Sequence, residues 1–239
     1  NNGALQGCSS VNAGSYPTKT IKISNFASGT KLTGVATSAD FSKQIVSICN
    51  DYLQISLDSG ISWVPVKTAG DGTECWTSVQ VSPMFDKIIA TAGNDGMYMS
   101  EDYGKTWKLV YNSALTATSV YYGVVATPDL SSMVIINSVY LYRSNNYGST
   151  WTALQGQIPS PKAITSSQDL TKIMVNSAGN SIYLSINGGA TFTKTNAAPG
   201  VSTAWGLVSS ADMSKVISVY KGSSFPMLYL SVNMGSSWT

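Results

Sequence analysis

The residues of this sequence that could do chemistry are carboxylates and aromatic rings, because the 239-residue chain contains no histidine. That absence excludes Ser-His-Asp triads, histidine acid–base catalysis and histidine-ligated metals. Four carboxylates, Asp51, Asp71, Glu74 and Asp95, stand in short Gly/Asn-rich segments between apolar runs. Such carboxylates could cleave a glycosidic bond as a pair, hold a cation or polar ligand, or form a solvated acidic patch. All these readings stay open from composition alone.

The candidate aromatic residues lie where β-rich runs begin: Trp76, Tyr121, Tyr122 and Trp205. An aromatic ring can stack on the apolar C–H face of a sugar, or it can pack in a core. The sequence leaves both roles open for these four residues. Two cysteines, Cys49 and Cys75, fall in the same segments as the first carboxylates, and we expect them to form a disulfide.

Composition limits the classes of partner. Only 11% of the residues are charged, the net charge is +2, and the basic residues are scattered, so we expect no nucleic-acid partner. No apolar run approaches the length of a membrane span. A weakly charged chain rich in Ser, Thr, Asn and Gly favours a secreted or cell-surface protein. We expect no metal site and no cofactor, with Ca²⁺ left open as a ligand of the carboxylates.

An eight-residue motif organises the rest of the chain, because it recurs five times. The copies are SLDSGISW at 56–63, SEDYGKTW at 100–107, SNNYGSTW at 144–151, SINGGATF at 185–192 and SVNMGSSW at 231–238. Two β-rich runs around a turn precede each copy, and short runs flank it, which indicates four strands per unit. Four-stranded units that repeat every 40–45 residues or so are typical of β-propeller blades.

The pattern S-x-[DN]-x-G-x-[ST]-W resembles the Asp-box, or BNR repeat, of sialidase-like propellers, and the resemblance covers residues 20–239. It implies that each box is the hairpin between the third and fourth strands of a blade. The Asp or Asn would then close the turn and the aromatic residue would pack between blades. The predicted turn-closing residues are Asp58, Asp102, Asn146, Asn187 and Asn233. The predicted packing residues are Trp63, Trp107, Trp151, Phe192 and Trp238.

The resemblance does not extend to a sialidase site. Sialidases of this family hold the substrate carboxylate with three arginines, whose guanidinium groups match a carboxylate. This chain has a single arginine, Arg143, beside a box. We therefore expect the propeller without the sialidase chemistry, since a fold does not by itself confer a function.

The predicted architecture is all-β, one five-bladed propeller of four-stranded antiparallel blades after an N-terminal extension over 1–19. Residues 21–40 align without a gap with 193–212. We therefore expect 20–26 to be the outer strand of blade 5 and to close the ring. The predicted blades are 33–69, 76–112, 121–157, 161–197, and 204–239 together with 20–26.

Strand order assigns the candidate residues to one side of this propeller. Loops of a four-stranded meander alternate between two faces, so the segments around Asp51, Glu74 and Asp95 share the face opposite the boxes. The preferred hypothesis is a non-catalytic, lectin-like protein that binds a glycan or polysaccharide there, with a sugar stacked on Trp76. A protein-binding or assembly module is the first alternative. A glycosidase or lyase that uses the acidic sector of blades 1 and 2 is the second.

Overall fold

The chain forms five consecutive antiparallel β-sheets. The structure, a computed structural model, describes residues 26, 29–70, 72–93, 96–110, 120–154, 158–178, 181–195, 204–221 and 226–239. Blade 1 contains β1 (Leu32–Thr37), β2 (Gln44–Ile48), β3 (Gln54–Ser56) and β4 (Val64–Pro65). Blade 2 contains β5 (Trp76–Val81), β6 (Ile88–Ala92), β7 (Gly96–Ser100) and β8 (Lys108–Leu109). Blade 3 contains β9 (Tyr121–Ala126), β10 (Met133–Asn137), β11 (Leu141–Ser144) and β12 (Thr152–Leu154). Blade 4 contains β13 (Pro161–Ser166), β14 (Ile173–Ser177), β15 (Ser181–Ser185) and β16 (Thr193–Thr195), and blade 5 contains β17 (Ala204–Ser209), β18 (Val216–Lys221) and β19 (Pro226–Ser231).

Each blade is a meander in which neighbouring strands are consecutive in sequence. This confirms the predicted all-β, five-bladed propeller. Blade 5 has three strands, and beside them the backbone of Thr239 exchanges two hydrogen bonds with Leu230, at 2.8 and 2.9 Å. Of the predicted closing strand 20–26, only Phe26 lies within the described residues, so closure of the ring by this segment is not shown. The predicted extension 1–19 lies outside them as well.

The box turns are closed by their Asp or Asn side chains. In blade 2, Asp102 accepts hydrogen bonds from the Thr106 backbone N–H at 2.9 Å, the Thr106 hydroxyl at 2.6 Å and the Ser100 hydroxyl at 2.9 Å. In blade 3, Asn146 accepts from the Thr150 N–H at 2.9 Å, and its own amide donates to the Thr150 hydroxyl at 2.8 Å. An amide thus keeps the turn that a carboxylate closes elsewhere, which explains why both occur in this column.

The box glycine and the box aromatic residue join each blade to the preceding one. Gly104 has a φ of +82°, and a Cβ there would lie 2.5 Å from Ile55 of blade 1, so only glycine fits this approach. The Trp107 indole N–H donates to the Gly104 carbonyl at 3.0 Å, and its ring packs against the apolar cluster between blades 1 and 2. Trp151 makes the corresponding bond to Gly148 at 2.9 Å and is buried between blades 2 and 3.

A second recurring turn joins the first two strands of each blade, on the same face as the box. In blade 1, Asp40 accepts from the Ser38 hydroxyl at 2.6 Å and from the Ser42 N–H at 3.1 Å. The two turns of one blade are also bonded to each other, since the Ser59 N–H donates to the Ser42 carbonyl at 2.9 Å. The corresponding carboxylates of blades 3 to 5 are Asp129, Asp169 and Asp212. In blade 2 this position is Met84, and Asp86, two residues later, accepts from the Ser82 hydroxyl at 2.5 Å.

The hydrophobic core is distributed between the blades. Four of the five described apolar clusters combine residues of two neighbouring blades, as Ile45 and Leu53 of blade 1 pack with Val79 and Phe85 of blade 2. A disulfide between Cys49 and Cys75 also links blade 1 to blade 2, and this is the predicted pairing. Among the described residues there is no helix with the length and hydropathy needed to cross a membrane.

The first prediction concerns the box tryptophans. Trp151→Ala should lower the free energy of unfolding by roughly 3–5 kcal/mol, because a large buried aromatic ring leaves a cavity. Trp63→Ala, its matched control in blade 1, should cost clearly less, since Trp63 is only half-buried and meets the Phe26 ring at 5.7 Å. Urea unfolding monitored by circular dichroism measures both values. Equal losses in the two variants would contradict a role for these rings that depends on packing between blades.

The second prediction concerns acid. The hydroxyl of Ser62 lowers the pKa of Asp58 to about 2, the hydroxyl of Thr106 does the same for Asp102, and that of Ser38 for Asp40. A carboxylate whose pKa is depressed by folding stabilises the protein above its unfolded pKa, and this contribution is lost as the pH falls through the folded pKa. The melting temperature should therefore be level above about pH 5 and fall between about pH 4 and 2.

Asp102→Asn is the control for this titration, because Asn occupies the same column in three blades and carries no titrating group. Between about pH 4 and 2 the melting temperature of this variant should fall less than that of the wild type. Near neutral pH the two melting temperatures should differ little. Thermal melts across the pH range measure both. A melting temperature that does not change down to pH 2 would show that ionisation of these turn carboxylates does not contribute to the stability of the fold.

Candidate functional site

Trp76, the predicted stacking residue, has no exposed surface. It packs in the cluster between blades 1 and 2, where its ring meets Tyr98 edge-on at 5.2 Å. A β-bulge between Trp76 and Ser78 shifts the alternation of the strand, so that Trp76 shares a side with Val79. The prediction that a sugar stacks on Trp76 is therefore wrong, because the ring is part of the core.

The other predicted aromatic residues do not form an open platform either. Tyr121 is buried, and its burial, with a further contribution from Tyr142, raises the pKa of its hydroxyl to about 12. Tyr122 is half-buried, and the Lys162 ammonium lies over its ring at 4.3 Å and contacts its hydroxyl at 3.1 Å. The side chain of Trp205 lies outside the described part of the chain.

The predicted carboxylates are not gathered into one site by the residues that the structure describes. Glu74 is buried and accepts the Gly72 N–H at 2.9 Å, so it holds the connection between blades 1 and 2 in place. Asp51 is exposed and accepts the N–H of its neighbour Tyr52 at 2.7 Å. Asp71 and Asp95 lie outside the described residues, so their predicted roles remain untested.

The described carboxylates are not grouped for metal binding either. Within the described ranges, no three or more Asp, Glu or Cys residues form a group that could hold a metal ion. The remaining described carboxylates of the repeats accept hydrogen bonds within their own turns, as Asp58 and Asp102 do. The arrangement therefore offers hydrogen-bond acceptors rather than a cluster of negative charge.

A largely apolar groove lies instead on the rim between blades 1 and 2, beside the boxes. It has a volume of about 610 Å³. Ile55 and Val66 form its buried floor, and Leu57 and Val64, 63% and 64% exposed, stand at its edge. Tyr103, from the box of blade 2, also lines it. The residues that complete the lining are Asp58, Ser62, Pro65, Lys67, Thr68, Gly104 and Lys105.

The pair Leu57 and Val64 is a departure from the repeat. These positions follow the box Ser and the box Trp, and in blade 2 they are Glu101 and Lys108, whose charged groups are 3.5 Å apart. The corresponding groove between blades 2 and 3 is smaller, about 360 Å³, and Glu101 and Lys108 line it. The box fold does not require apolar residues here, so the exposed apolar pair of blade 1 is not explained by stability.

Sequence reasoning missed this groove although its signal was present. Aligning the boxes shows Leu57, Glu101, Asn145, Ile186 and Val232 in one column. The column after the box aromatic residue reads Val64, Lys108, Thr152, Thr193 and Thr239. Blade 1 alone combines a large apolar residue in both. Comparison of the repeats at their non-motif positions would have found the pair.

A second hollow, of about 410 Å³, lies on the side of blade 1 that faces away from blade 2. It contains the tilted ring pair Trp63 and Phe26, with Asp51 and Gln54 beside them. Ile61, Ser62 and Thr30 complete the lining. Asp51 is therefore the predicted ligand residue that the described part of the chain places beside an accessible aromatic ring, and that ring is Trp63 rather than Trp76.

Comparison with protein families supports the assignment of the repeat. The family model described as BNR-Asp box repeat matches residues 97–110, the strand and box of blade 2. A search of curated protein sequences finds no significant match.

Solved structures share the fold at low sequence identity. The GH74 enzyme of Niastella koreensis superposes with a TM-score of 0.68 at 18% identity over 87% of this chain and 38% of its own. YCF48 bound to a D1 peptide gives 0.67 at 18% identity, over 88% of this chain and 66% of its own. A nidogen/laminin complex gives 0.69 at 11% identity, over 87% and 78%.

These identities establish a common fold and no more, because propellers support unrelated functions. The chain also spans well under half of the GH74 enzyme. The recurring box geometry and the five consecutive antiparallel sheets lead to one assignment. The chain is a five-bladed β-propeller, and residues 97–110 of blade 2 match the BNR-Asp box repeat.

Proposed function

We propose that this propeller is a non-catalytic binding module and that the groove between blades 1 and 2 receives an apolar segment of another polypeptide. The observation that carries the proposal is the exposed pair Leu57 and Val64. Exposed apolar residues that meet over a groove are characteristic of interaction sites. Blades 2 and 3 show that the box hairpin can be built with polar residues at both positions.

The lining of the groove indicates what the segment would contain. Its apolar floor and edge favour one or more large apolar side chains. Lys67 and Lys105 flank the groove, so an acidic residue next to the apolar ones would be attracted. Addition of a β-strand at the edge of blade 1 is disfavoured, because Pro65 in β4 has no N–H to donate. Insertion of side chains into the groove is the mode that fits.

Three observations support a binding role over a catalytic one. The chain has no histidine and a single arginine, and the described carboxylates of the repeat serve their turns. Among solved structures of this fold, one is YCF48 bound to a peptide and one is a nidogen/laminin complex.

A secreted or cell-surface location belongs to the same proposal, and the Cys49–Cys75 disulfide supports it, because disulfides persist in oxidising compartments.

The third prediction tests the groove with substitutions taken from the repeat itself. The double variant Leu57→Asn, Val64→Thr places the residues of blade 3 in blade 1, so the hairpin should fold normally. A displayed library of random peptides selected on the wild type should yield apolar, acidic sequences. These peptides should bind the double variant about 10-fold or more weakly, since two apolar contacts are lost. Fluorescence anisotropy with the selected peptides measures the change.

Ile186→Asn is the matched control, because Ile186 occupies the Leu57 position in blade 4, is 69% exposed and does not line the groove. It should leave peptide affinity unchanged. Equal binding of the peptides to the double variant would show that they dock elsewhere. Failure of the library to yield any binder would count against a peptide-binding groove.

The hollow at Trp63 supports a second candidate function, binding of a neutral or amino-sugar glycan without cleavage. A ring with an accessible face can stack on a sugar, while the Asp51 carboxylate and the Gln54 amide are placed to bond hydroxyls. In this candidate site Asp51 has the ligand-binding role predicted from the sequence, and Trp63 has the stacking role that was predicted for Trp76. Ca²⁺ is not required by this arrangement, so binding should be the same with and without it.

The fourth prediction separates the two candidates on one glycan array. Any glycan bound by the wild type should be lost in Trp63→Ala and weakened in Asp51→Asn, with the fold intact by circular dichroism. The groove variant Leu57→Asn, Val64→Thr should bind that glycan as the wild type does. If a glycan still binds the Trp63→Ala variant, or if the array yields no ligand, this candidate is wrong. The polypeptide groove then remains as the proposal.

A further inference from the structure

The groove between blades 1 and 2, here the first groove, has a counterpart between blades 2 and 3, the second groove. Each of the ten residues that line the second groove lies 44 residues after a residue that lines the first, which is the spacing of the two boxes. Both floors are apolar, with Ile55 and Val66 in the first groove and Met99 and Val110 in the second. The repeat therefore builds the same groove twice.

The box hairpin of blade 2 is the wall between the two grooves. Tyr103, Gly104 and Lys105 of this box line the first groove. Asp102 and Thr106 of the same box line the second. The strands of a hairpin lie about 5 Å apart, and an extended chain advances by ~3.3 Å per residue. A linker of roughly three to five residues would therefore carry one polypeptide from one groove to the other.

A box tyrosine stands in each groove, Tyr103 in the first and Tyr147 in the second. Both rings are 45% exposed. A lysine of the preceding blade lies over each of them, Lys43 at 5.0 Å and Lys87 at 4.4 Å from the ring centroid. This contact holds each ring in place on one side, and the exposed part of the ring remains for a ligand.

The junction between blades 3 and 4 carries different residues at these positions. Arg143 stands in the column of Ile55 and Met99, and Gly188 stands in the column of the two tyrosines. The Arg143 guanidinium donates to the Gly188 carbonyl and, at 2.8 Å, to the Asn145 side chain. A Cβ on Gly188 would lie 2.5 Å from Nη1 of Arg143. The apolar floor and the tyrosine are therefore not repeated at this junction.

The two grooves differ in the charge of their rims. Lys67 and Lys105 flank the first groove. In the second groove, Glu101 and Lys108 form an exposed ion pair at 3.5 Å. An exposed pair of this kind contributes little to stability, so its groups are available to the charges of a partner. The first groove thus attracts an acidic residue, and the second accepts charges of either sign beside an apolar side chain.

We propose that a single extended segment of another polypeptide occupies both grooves, with one apolar side chain anchored in each and an acidic residue beside the first anchor. This inference rests on the proposed function, because it takes the first groove as a peptide site. Linking two weak anchors makes the second contact intramolecular, so the segment binds more tightly than either anchor alone. The partner is therefore recognised by a pair of apolar residues separated by about three to five others.

The fifth prediction compares the peptides selected on the wild type with the variant Tyr147→Gly. Glycine is the residue of blade 4 at this position and suits its left-handed backbone, where φ is 55°, so the variant should fold normally. The full peptides should bind it about 10-fold more weakly, because a contact of the second groove is lost. Peptides shortened to the first anchor and its acidic neighbour should bind the variant and the wild type equally.

Fluorescence anisotropy measures these affinities. The matched control is Met234→Gly, at the same box position in blade 5, because Met234 also has a left-handed backbone and lines neither groove. It should leave the affinity of the full peptides unchanged.

Methyl NMR of the wild type locates the bound peptide without any substitution. The methyl groups of Ile55 and Val66 report on the first groove, and those of Met99 and Val110 report on the second. The full peptides should shift the signals of both grooves. The shortened peptides should shift only those of the first.

Two results would overturn this inference, and they have different consequences for the proposed function. Shifts confined to Ile55 and Val66, with full peptide affinity in Tyr147→Gly, would show that only the first groove is occupied, and the proposed function would stand. Shifts in neither groove would show that the peptides dock elsewhere, and both proposals would then be wrong.

Discussion

The structure depends on the packing of apolar sheet surfaces against each other, blade on blade. A single four-stranded blade cannot bury its hydrophobic residues, because both of its faces are apolar and its strands are short. In the repeat each blade has two complementary apolar sides, so that Ile45 and Leu53 of one blade pack against Val79 and Phe85 of the next. Burial of such surface is the main favourable contribution to folding, and here it is made between units of the repeat.

The polar turns serve this packing rather than a ligand. The Asp or Asn of each box closes the hairpin locally, which holds the glycine and the aromatic residue at the positions where they touch the preceding blade. Hydroxyl groups of Ser and Thr donate hydrogen bonds to the carboxylates of these turns, as Ser62 does to Asp58. This is the physical reason why the carboxylates of the boxes are not available for chemistry in the folded chain.

Candidate functions arise where the repeat is broken. Leu57 and Val64 are exposed where blade 2 has an ion pair, and they open an apolar groove that the fold does not need. The second candidate, the Trp63 hollow, lies on the side of blade 1 that faces away from blade 2. A position that departs from its equivalents, in residue type or in burial, is therefore more informative in this protein than any motif residue.

The sequence by itself determined the blade count, the strand order and the structural role of the boxes, and it left the Cys49–Cys75 pairing as an expectation that the structure decided. It could do so because turn closure by Asx residues is local, and because a period of this length admits few architectures. Tertiary structure alone decided which candidate residues are accessible. Trp76 follows the pattern of an exposed loop residue, but a β-bulge turns its side chain into the core. Glu74 is buried against the glycines of its own turn. Accessibility depends on the neighbouring blade, whose residues are distant in the chain, as Ile45 and Phe85 are 40 residues apart. No local pattern in the sequence contains that information.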